Sequence, residues 1–310
     1  MSRFAEKLGE MRARGSAAFL APMAGVSDLG MRRAAATFGA SFVVSEMVAG
    51  AFLLDGDAAN QAKASGEGLD CHIVQIASCS PDMLAESARR AEAQGADAID
   101  INMGCPAKKV VGGLAGSALM RDLDQATRLI RATVAAVSVP VTVKMRLGWD
   151  DASRNAPELS RRAEEEGVAM VTVHGRTRCQ FYKGRADWTA IRAVVDAVRI
   201  PVVANGDCAD VNDARQMIAC SGAAAVMVGR AAIGRPWLVG EIAQTLATGV
   251  SPRVPLSKRL DCALEHYATI LSTFGVEQGV RYARKHLAGY AAHAGHRSGT
   301  RLYDLSLIHI

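Results

Sequence analysis

Residues 95–106, which read GADAIDINMGCP, contain the pattern that decides the fold. Gly95 ends an amphipathic helix that begins at Ser80 and Pro81, since serine caps helices and proline favours the first helical position. Residues 98–101 are short and mainly apolar, which is typical of a buried β-strand. The same opening recurs as GVAMV at residue 167 and as GAAAV at residue 222, so the chain repeats one helix–strand unit.

Eight such runs occur before residue 230, and helical segments separate them. The runs are nearly continuous in apolar residues, as expected for strands of a parallel sheet that is covered on both faces. Eight successive β–α units predict an α/β fold, a (βα)₈ TIM barrel, with a doubly wound sheet as the alternative. The predicted strands are residues 18–22, 42–45, 71–77, 98–101, 140–144, 169–174, 200–204 and 225–228.

The pattern changes past residue 247. Residues 251–255 read as a linker, and residues 257 to about 294 are helical in pattern with no strand signal. We therefore expect a barrel domain over residues 1–250 and a small all-helical domain over residues 251–310. Residues 306–310 end without a helix cap or a charged tail.

Composition excludes some classes of protein. The 310 residues include 36 Lys and Arg against 31 Asp and Glu, a formal net charge of +5, and half of them are hydrophobic. These values exclude a disordered chain and a histone-like polycation, but they permit a local basic face for a polyanion. The high arginine content suits phosphate contacts and base stacking. A GC-rich genome, which encodes arginine often, explains it equally well.

Cysteine use and hydropathy indicate a reduced compartment. The seven cysteines are odd in number and contain no C-x-x-C, which argues against a disulfide framework and a zinc site. No apolar run approaches the roughly 18 residues of a membrane-spanning helix. We expect a cytoplasmic protein without a metal, and a monomer.

Polar and small residues follow nearly every predicted strand at its carboxyl end, where barrels place their chemistry. Lys144 lies inside a strand, where burying an unpaired ammonium is costly, so a partner or ligand is expected. The loops after the last two strands commonly bind phosphate in barrels, which favours the segments at Gly206 and Gly229. Arg230 adds a positive charge there.

Other strand-end residues have two readings. Gln75 and His174 are explained equally well as ligand contacts or as hydrogen-bonded core residues. Glu46 is a candidate ion-pair partner of Lys144 or Arg146.

The loop from Asn102 to Arg121 is the longest after any strand, and long loops on a rigid scaffold are usually functional. Cys105 in this loop is placed as a catalytic acid or nucleophile, whereas the other six cysteines read as small core residues. No complete G-x-G-x-x-G and no Walker A motif occurs, so a mononucleotide held by one phosphate is expected rather than a dinucleotide.

Taken together, these residues resemble the tRNA-dihydrouridine synthase family, and most closely its bacterial B-type branch. The resemblance spans about residues 16 to 295. Its motifs are APMAGVSD at 21–28, DINMGCP at 100–106, VKMR at 143–146, HGRT at 174–177, ADW at 186–188, NGD at 205–207 and RKH at 284–286.

The resemblance implies reduction of uridine in the tRNA D-loop, with FMN as cofactor and NADPH as reductant. It implies that Cys105 protonates the base and that the helical domain binds the tRNA. Residues 306–310 depart from the family's pattern. The FMN-binding positions implied are Pro22, Met23, Ala24, Gln75, Lys144, His174, Asn205, Gly206, Asp207, Gly229 and Arg230.

Substrate contacts are expected on the same side of the barrel and on the helical domain. Asn102 is a candidate for orienting the uracil. Candidate RNA contacts, each equally explained as solvated surface charge, are Lys108, Lys109, Arg146, Arg176, Arg178, Arg281, Arg284 and Lys285. Two rivals remain: a flavin barrel of the dihydroorotate dehydrogenase type acting on a free pyrimidine, and a non-catalytic RNA-binding barrel.

Overall fold

One parallel sheet contains all eight predicted strands within residues 2–14, 17–50 and 58–295, which the computed structural model describes. Its strand order is β2–β1–β9–β8–β7–β6–β5–β4–β3. In the described residues the strands are β1 (Ala18–Leu20), β2 (Phe42–Val43), β3 (Val48–Ala49), β4 (Ile73–Ala77), β5 (Ala98–Met103), β6 (Val141–Arg146), β7 (Met170–His174), β8 (Val202–Asn205) and β9 (Ala225–Val228).

The segment predicted as the second strand closes the barrel. β2 pairs with β1, whereas β3 pairs with β4. Between them Val44 forms a bridge to Ile73, and the Ser45 N–H donates to the Ile73 carbonyl at 3.0 Å. These contacts join the two edges of the sheet, so the predicted TIM barrel is confirmed with its second strand divided in two.

Helices cover the outside of the barrel, and they begin and end at the capping residues that the sequence predicts. The Ser80 hydroxyl accepts from the Met83 N–H, and Gly222 ends its helix with a φ of 70°. None of the helices in the described residues is long and apolar enough to cross a membrane. They are α1 (Arg3–Arg14), α2 (Leu29–Thr37), α3 (Ala58–Ala64), α4 (Pro81–Ala93), α5 (Lys108–Gly112), α6 (Leu123–Ala136), α7 (Ala156–Glu165), α8 (Arg192–Ala197), α9 (Val211–Ser221), α10 (Trp237–Thr248) and α11 (Leu256–His293).

Apolar side chains fill the amino-terminal end of the barrel interior. Phe19 and Phe42 stack there with ring centroids 4.4 Å apart. Helix α1 covers this end with the buried side chains of Phe4, Leu8 and Met11. Burial of this apolar area stabilises the fold and excludes water from this end of the barrel.

The interior becomes polar toward the carboxyl ends of the strands. Along β5 the inward positions are Ala98, Asp100 and Asn102, whereas the intervening isoleucines pack outward against the helices. Along β6, Thr142 lies beside Asp100 and Lys144 lies beside Asn102. The period of two along each strand therefore brings several polar side chains to one end of the barrel.

The predicted C-terminal helical region forms a hairpin. Helix α11 is interrupted at Gly275, where φ is 73°, a conformation that glycine adopts without strain. Cys262 Sγ lies 3.6 Å from the Tyr290 hydroxyl, so residues 256–274 and 276–293 pack antiparallel. The hairpin packs against α2. Residues 296–310 lie outside the described residues, and so does the expected departure of residues 306–310 from the family's pattern.

Gly240 lets α10 pack closely on the end of α2. A Cβ at this position would lie 1.8 Å from the Phe38 carbonyl oxygen, so backbone must shift to admit it. We expect Gly240→Ala to lower the free energy of unfolding by about 1–3 kcal/mol, measured by chemical denaturation.

Gly9 provides the matched control, because it lies in α1 with no atom within 4 Å of an added Cβ. Gly9→Ala should leave stability equal or slightly higher, since alanine is the better helix former. Equal stability of both variants would contradict the close packing of α10.

Candidate active site

A cavity of about 830 Å³ opens at the carboxyl ends of the strands. All eleven residues predicted to hold the cofactor line it, together with Cys105, Asn102, Arg146 and Arg176. The eleven are Pro22, Met23, Ala24, Gln75, Lys144, His174, Asn205, Gly206, Asp207, Gly229 and Arg230. The structure thus brings together residues that seven different segments supply, while the ligand itself stays a prediction.

A chain of hydrogen bonds runs from the barrel interior to Cys105. The buried Asp100 carboxylate accepts from Gln75 Nε2 at 2.6 Å and from the Thr142 hydroxyl at 2.6 Å. Gln75 Oε1 accepts from Asn102 Nδ2 at 2.7 Å, and Asn102 Oδ1 accepts from the Cys105 N–H at 2.9 Å. Because an amide nitrogen only donates, both side-chain amides have one orientation.

These hydrogen bonds give Asn102 a second role besides the predicted one of orienting the uracil. Its amide oxygen also accepts from the Gly104 N–H at 3.2 Å, so it holds the backbone at the start of the Cys105 loop. Burial raises the pKa of Asp100, whereas the hydrogen bonds from Gln75 and Thr142 favour the carboxylate.

The Cys105 loop is also held from its far side. The Cys105 carbonyl accepts from the Ser117 N–H at 3.1 Å and from the Ser117 hydroxyl at 2.9 Å. Gly116 makes this approach possible, because its φ is 60° and a Cβ would lie 2.9 Å from the Cys105 carbonyl oxygen. The thiol is partly exposed and borders the cavity, so it has access to a bound substrate.

The wall of the cavity is strongly cationic, since it is lined by Lys144, Arg146, Arg176 and Arg230. Lys144 Nζ donates to Asn205 Oδ1 at 3.0 Å, and Asn205 Nδ2 donates to the Met227 carbonyl at 2.8 Å. Burial, together with the nearby charge of Arg146, lowers the pKa of Lys144 to about 8. Below that pH the ammonium is charged, so the wall attracts an anion.

His174 stands among these cations. Burial lowers its pKa well below the ordinary value, and the charges of Lys144, Arg146, Arg176 and Arg230 lower it further. The imidazole is therefore neutral near pH 7 and offers one donor and one acceptor. The site fits a ligand that carries negative charge.

Arg146 lies at the cavity but is only 2% exposed. Its guanidinium donates to the carbonyls of Gly104 at 2.8 Å, Thr177 at 3.0 Å and Phe181 at 2.8 Å. It thereby ties the Cys105 loop to the loop that follows β7. These contacts favour a positioning role over the predicted direct contact with substrate.

Arg176 is buried in a comparable way. It donates to Asp207 Oδ2 at 2.5 Å and to the carbonyls of Lys183 at 3.1 Å and Gly184 at 2.7 Å. Asp207 accepts in addition from Arg230, which is 61% exposed on its side chain. Of these two arginines, Arg230 has the solvent-facing charge that an anionic ligand needs.

Comparison with known proteins agrees with this arrangement. The family model described as Dihydrouridine synthase (Dus) matches residues 19–303. The chain belongs to the dihydrouridine synthase family. Members of this enzyme family share the TIM barrel seen here.

Several curated relatives of the family are similar over most of the chain. A probable tRNA-dihydrouridine synthase of Rhodobacter capsulatus is 53% identical over 276 residues, which cover 88% of this chain and 85% of the relative. One of Rickettsia conorii is 49% identical over 276 residues, covering 88% and 83%. The tRNA-dihydrouridine synthase B of Xanthomonas axonopodis pv. citri is 48% identical over 275 residues, covering 88% and 82%.

The predicted RNA contacts differ in exposure. Lys108 and Lys109 are exposed on α5 in the Cys105 loop, and Arg284 is exposed on the hairpin. Arg281 is exposed but pairs with Glu277 at 3.0 Å. The ammonium of Lys285 donates to the Gly25 carbonyl. Their binding of RNA stays a prediction.

Arg178 has an unusual aromatic environment. Its guanidinium carbon lies 4.7 Å from the Trp149 ring centroid and 4.6 Å from that of Phe181, which borders the cavity. Arg121 lies 4.8 Å from the same Trp149 centroid. In the described residues the buried Arg178 Nε has no hydrogen-bond partner. Stacking on aromatic rings fixes the plane of a guanidinium without using its hydrogen-bond donors.

Tyr182 is the main functional candidate that sequence reasoning missed. It is 53% exposed at the cavity, and the guanidinium carbons of Arg146 and Arg230 lie 5.5 and 5.2 Å from its ring centroid. The signal available was two adjacent aromatic residues, Phe181 and Tyr182, in a loop otherwise rich in charge and glycine.

Two sequence expectations need correction. Cys79, Cys179 and Cys220 are exposed, so only three of the other six cysteines are the core residues expected. Glu46 pairs with neither lysine nor arginine of β6, because its carboxylate accepts from the Gly25 N–H and the Tyr282 hydroxyl.

One buried group in the described residues has atoms that could hold a metal. Asp28, His266 and His286 present these atoms within 4.8 Å of one another. The Asp28 carboxylate already accepts from the Met31 N–H at 3.0 Å and contacts His266 Nε2 at 3.1 Å. These partners account for its burial without a cation, and the expected absence of a metal stays a prediction.

Proposed function

We propose that this chain reduces uridine to 5,6-dihydrouridine in the D-loop of tRNA, with FMN as cofactor and NADPH as reductant. The observation that carries the proposal is one cavity lined by a thiol and by several cationic side chains, in a member of the dihydrouridine synthase family. The relatives' names specify tRNA as substrate. We further propose that the protein acts in the cytoplasm as a monomer.

The residues of the cavity fit FMN. Arg230 and the backbone at Gly206 and Gly229 would hold the phosphate at the loops after β8 and β9, where barrels commonly bind it. Lys144 would stabilise negative charge on the flavin ring, and Gln75 would hydrogen-bond its pyrimidine edge. The cavity volume of about 830 Å³ is within the range of cofactor sites.

The reaction adds two hydrogens across the C5–C6 bond of uracil. When bound, reduced FMN supplies the hydride that C6 accepts. The Cys105 thiol, which borders the cavity, donates the proton to C5. The hydrogen bonds of Asn102 and Ser117 to the Cys105 backbone hold the thiol at the cavity.

An RNA substrate is favoured over a free pyrimidine by the surroundings of the cavity. A uridine in folded tRNA must leave its stack to enter a pocket, and the flanking backbone then needs basic partners. Lys108, Lys109 and Arg178 lie on loops beside the cavity, and Arg284 lies on the hairpin. A dihydroorotate dehydrogenase type of enzyme would turn over free bases, so comparing tRNA with uracil as substrates separates the two.

We expect Cys105→Ala to retain FMN and NADPH oxidation but to form no dihydrouridine, because hydride transfer needs a proton at C5 to be completed. Mass spectrometry of tRNA after single turnover measures the product. Cys220→Ala is the control, since that thiol is exposed outside the cavity-lining residues. Full product formation by Cys105→Ala would exclude the thiol as the acid.

The protein should bind FMN less tightly at about pH 9 than at about pH 7. The pKa of Lys144 is about 8, so its ammonium loses its charge over this interval, whereas a phosphate is already ionised. Lys144→Met should bind FMN weakly at both pH values, without this slope. Fluorescence titration of the apoprotein measures both, and an identical pH dependence in the variant would refute the role of Lys144.

The affinity for tRNA should fall steeply with salt, as counterion release requires. Arg178→Gln is expected to reduce the slope of log affinity against log salt by about 0.7–0.9, the contribution of one phosphate contact. Arg12→Gln, an exposed position on α1 at the opposite end of the barrel, should leave the slope unchanged. Filter binding at several salt concentrations decides, and equal slopes in both variants would remove Arg178 from the interface.

A further inference from the structure

Residues 22–28, which follow β1, contact both the cavity and the helical hairpin. Pro22, Met23 and Ala24 line the cavity, whereas the following residues contact the helical hairpin. The turn is folded on itself, since the Met23 N–H donates to the Ser27 hydroxyl at 2.8 Å. A displacement of Gly25 would therefore be carried to the residues at the cavity.

Both backbone polar groups of Gly25 are bound by charged side chains. Its N–H donates to one oxygen of Glu46, and its carbonyl accepts from the Lys285 ammonium. The other Glu46 oxygen accepts from the Tyr282 hydroxyl at 2.6 Å. Glu46 is only 2% exposed, so loss of either partner would leave a buried carboxylate short of a hydrogen bond.

The two hairpin residues are themselves well fixed. The Tyr282 ring stacks on Phe274 with centroids 4.6 Å apart, and Lys285 Nζ lies 4.2 Å from the Tyr282 ring centroid. Burial, together with the charge of Glu46, raises the pKa of Tyr282, so the hydroxyl remains a donor at physiological pH. There is little spare room, since a Cβ on Gly25 would lie 2.9 Å from Lys285 Nζ.

We propose that Tyr282 and Lys285 are positioning residues of the flavin site. They act from the hairpin through Glu46 and Gly25 and set the place of Pro22–Ala24 against the flavin. The hairpin then has a second role beside RNA binding, because any movement of it on RNA binding reaches the cofactor. The inference rests on the proposed function, since it requires that the cavity holds FMN.

The test compares two tyrosine variants of the full chain. Tyr282→Phe keeps the ring stacked on Phe274 but removes the hydrogen bond to Glu46. Tyr267→Phe is the matched control, because this partly buried tyrosine lies on the same hairpin and its hydroxyl has no hydrogen bond within the described residues. Fluorescence titration of each apoprotein with FMN, well below its melting temperature, measures the dissociation constant.

We expect Tyr282→Phe to weaken FMN binding about tenfold and to shift the flavin absorption band, while Tyr267→Phe binds as the wild type does. Equal FMN affinity and equal spectra in the two variants, at comparable melting temperatures, would overturn the inference alone. Failure of the wild type to bind FMN would overturn the proposed function, and this inference with it.

Lys285→Met separates positioning from the RNA contact predicted for this residue. A loss of FMN affinity in the absence of RNA supports the inference, since no phosphate backbone is present. A variant that binds FMN normally and loses only tRNA affinity would overturn the part played by Lys285 and support the RNA contact instead.

Discussion

The hydrogen bonds that satisfy the buried Asp100 carboxylate determine the orientation of the groups above it. A charge inside a barrel is tolerated only with partners, and here Gln75 and Thr142 supply them from the two neighbouring strands. Once Gln75 is fixed, Asn102 has one orientation, and the backbone of Cys105 follows from it. The reactive loop is thus connected to the rigid barrel by hydrogen bonds whose donors and acceptors cannot be exchanged.

The fold was largely predictable because its signals are local. Apolar runs separated by capped helices indicate a parallel barrel, and Gly95, Gly167 and Gly222 mark helix ends through their backbone freedom. The division of the second strand depends instead on the contact of Val44 with Ile73, which no local pattern encodes. The reversal of the last helix at Gly275 was missed, because a glycine inside a helical pattern is usually tolerated without a break.

The candidate site was predictable from the sequence at positions where burying the residue present would cost free energy. Lys144 stands out because a lysine within an apolar strand needs a partner, and it does find Asn205. Arg146 and Arg176 carried the same kind of signal, but sequence could not tell that their donors bind backbone carbonyls rather than substrate. The partner of Glu46 lies 236 residues away on the hairpin, so only the folded chain identifies it.

The apolar filling at the base of the barrel bears on the order of events in catalysis. Phe4, Leu8 and Met11 cover the end opposite the cavity, so reactants have to arrive from the carboxyl side of the strands. The nicotinamide and the RNA of the proposed reaction would share that entrance. Because one mouth would serve both, RNA bound in the cavity would hinder entry of the nicotinamide, and a bound nicotinamide would hinder entry of the RNA.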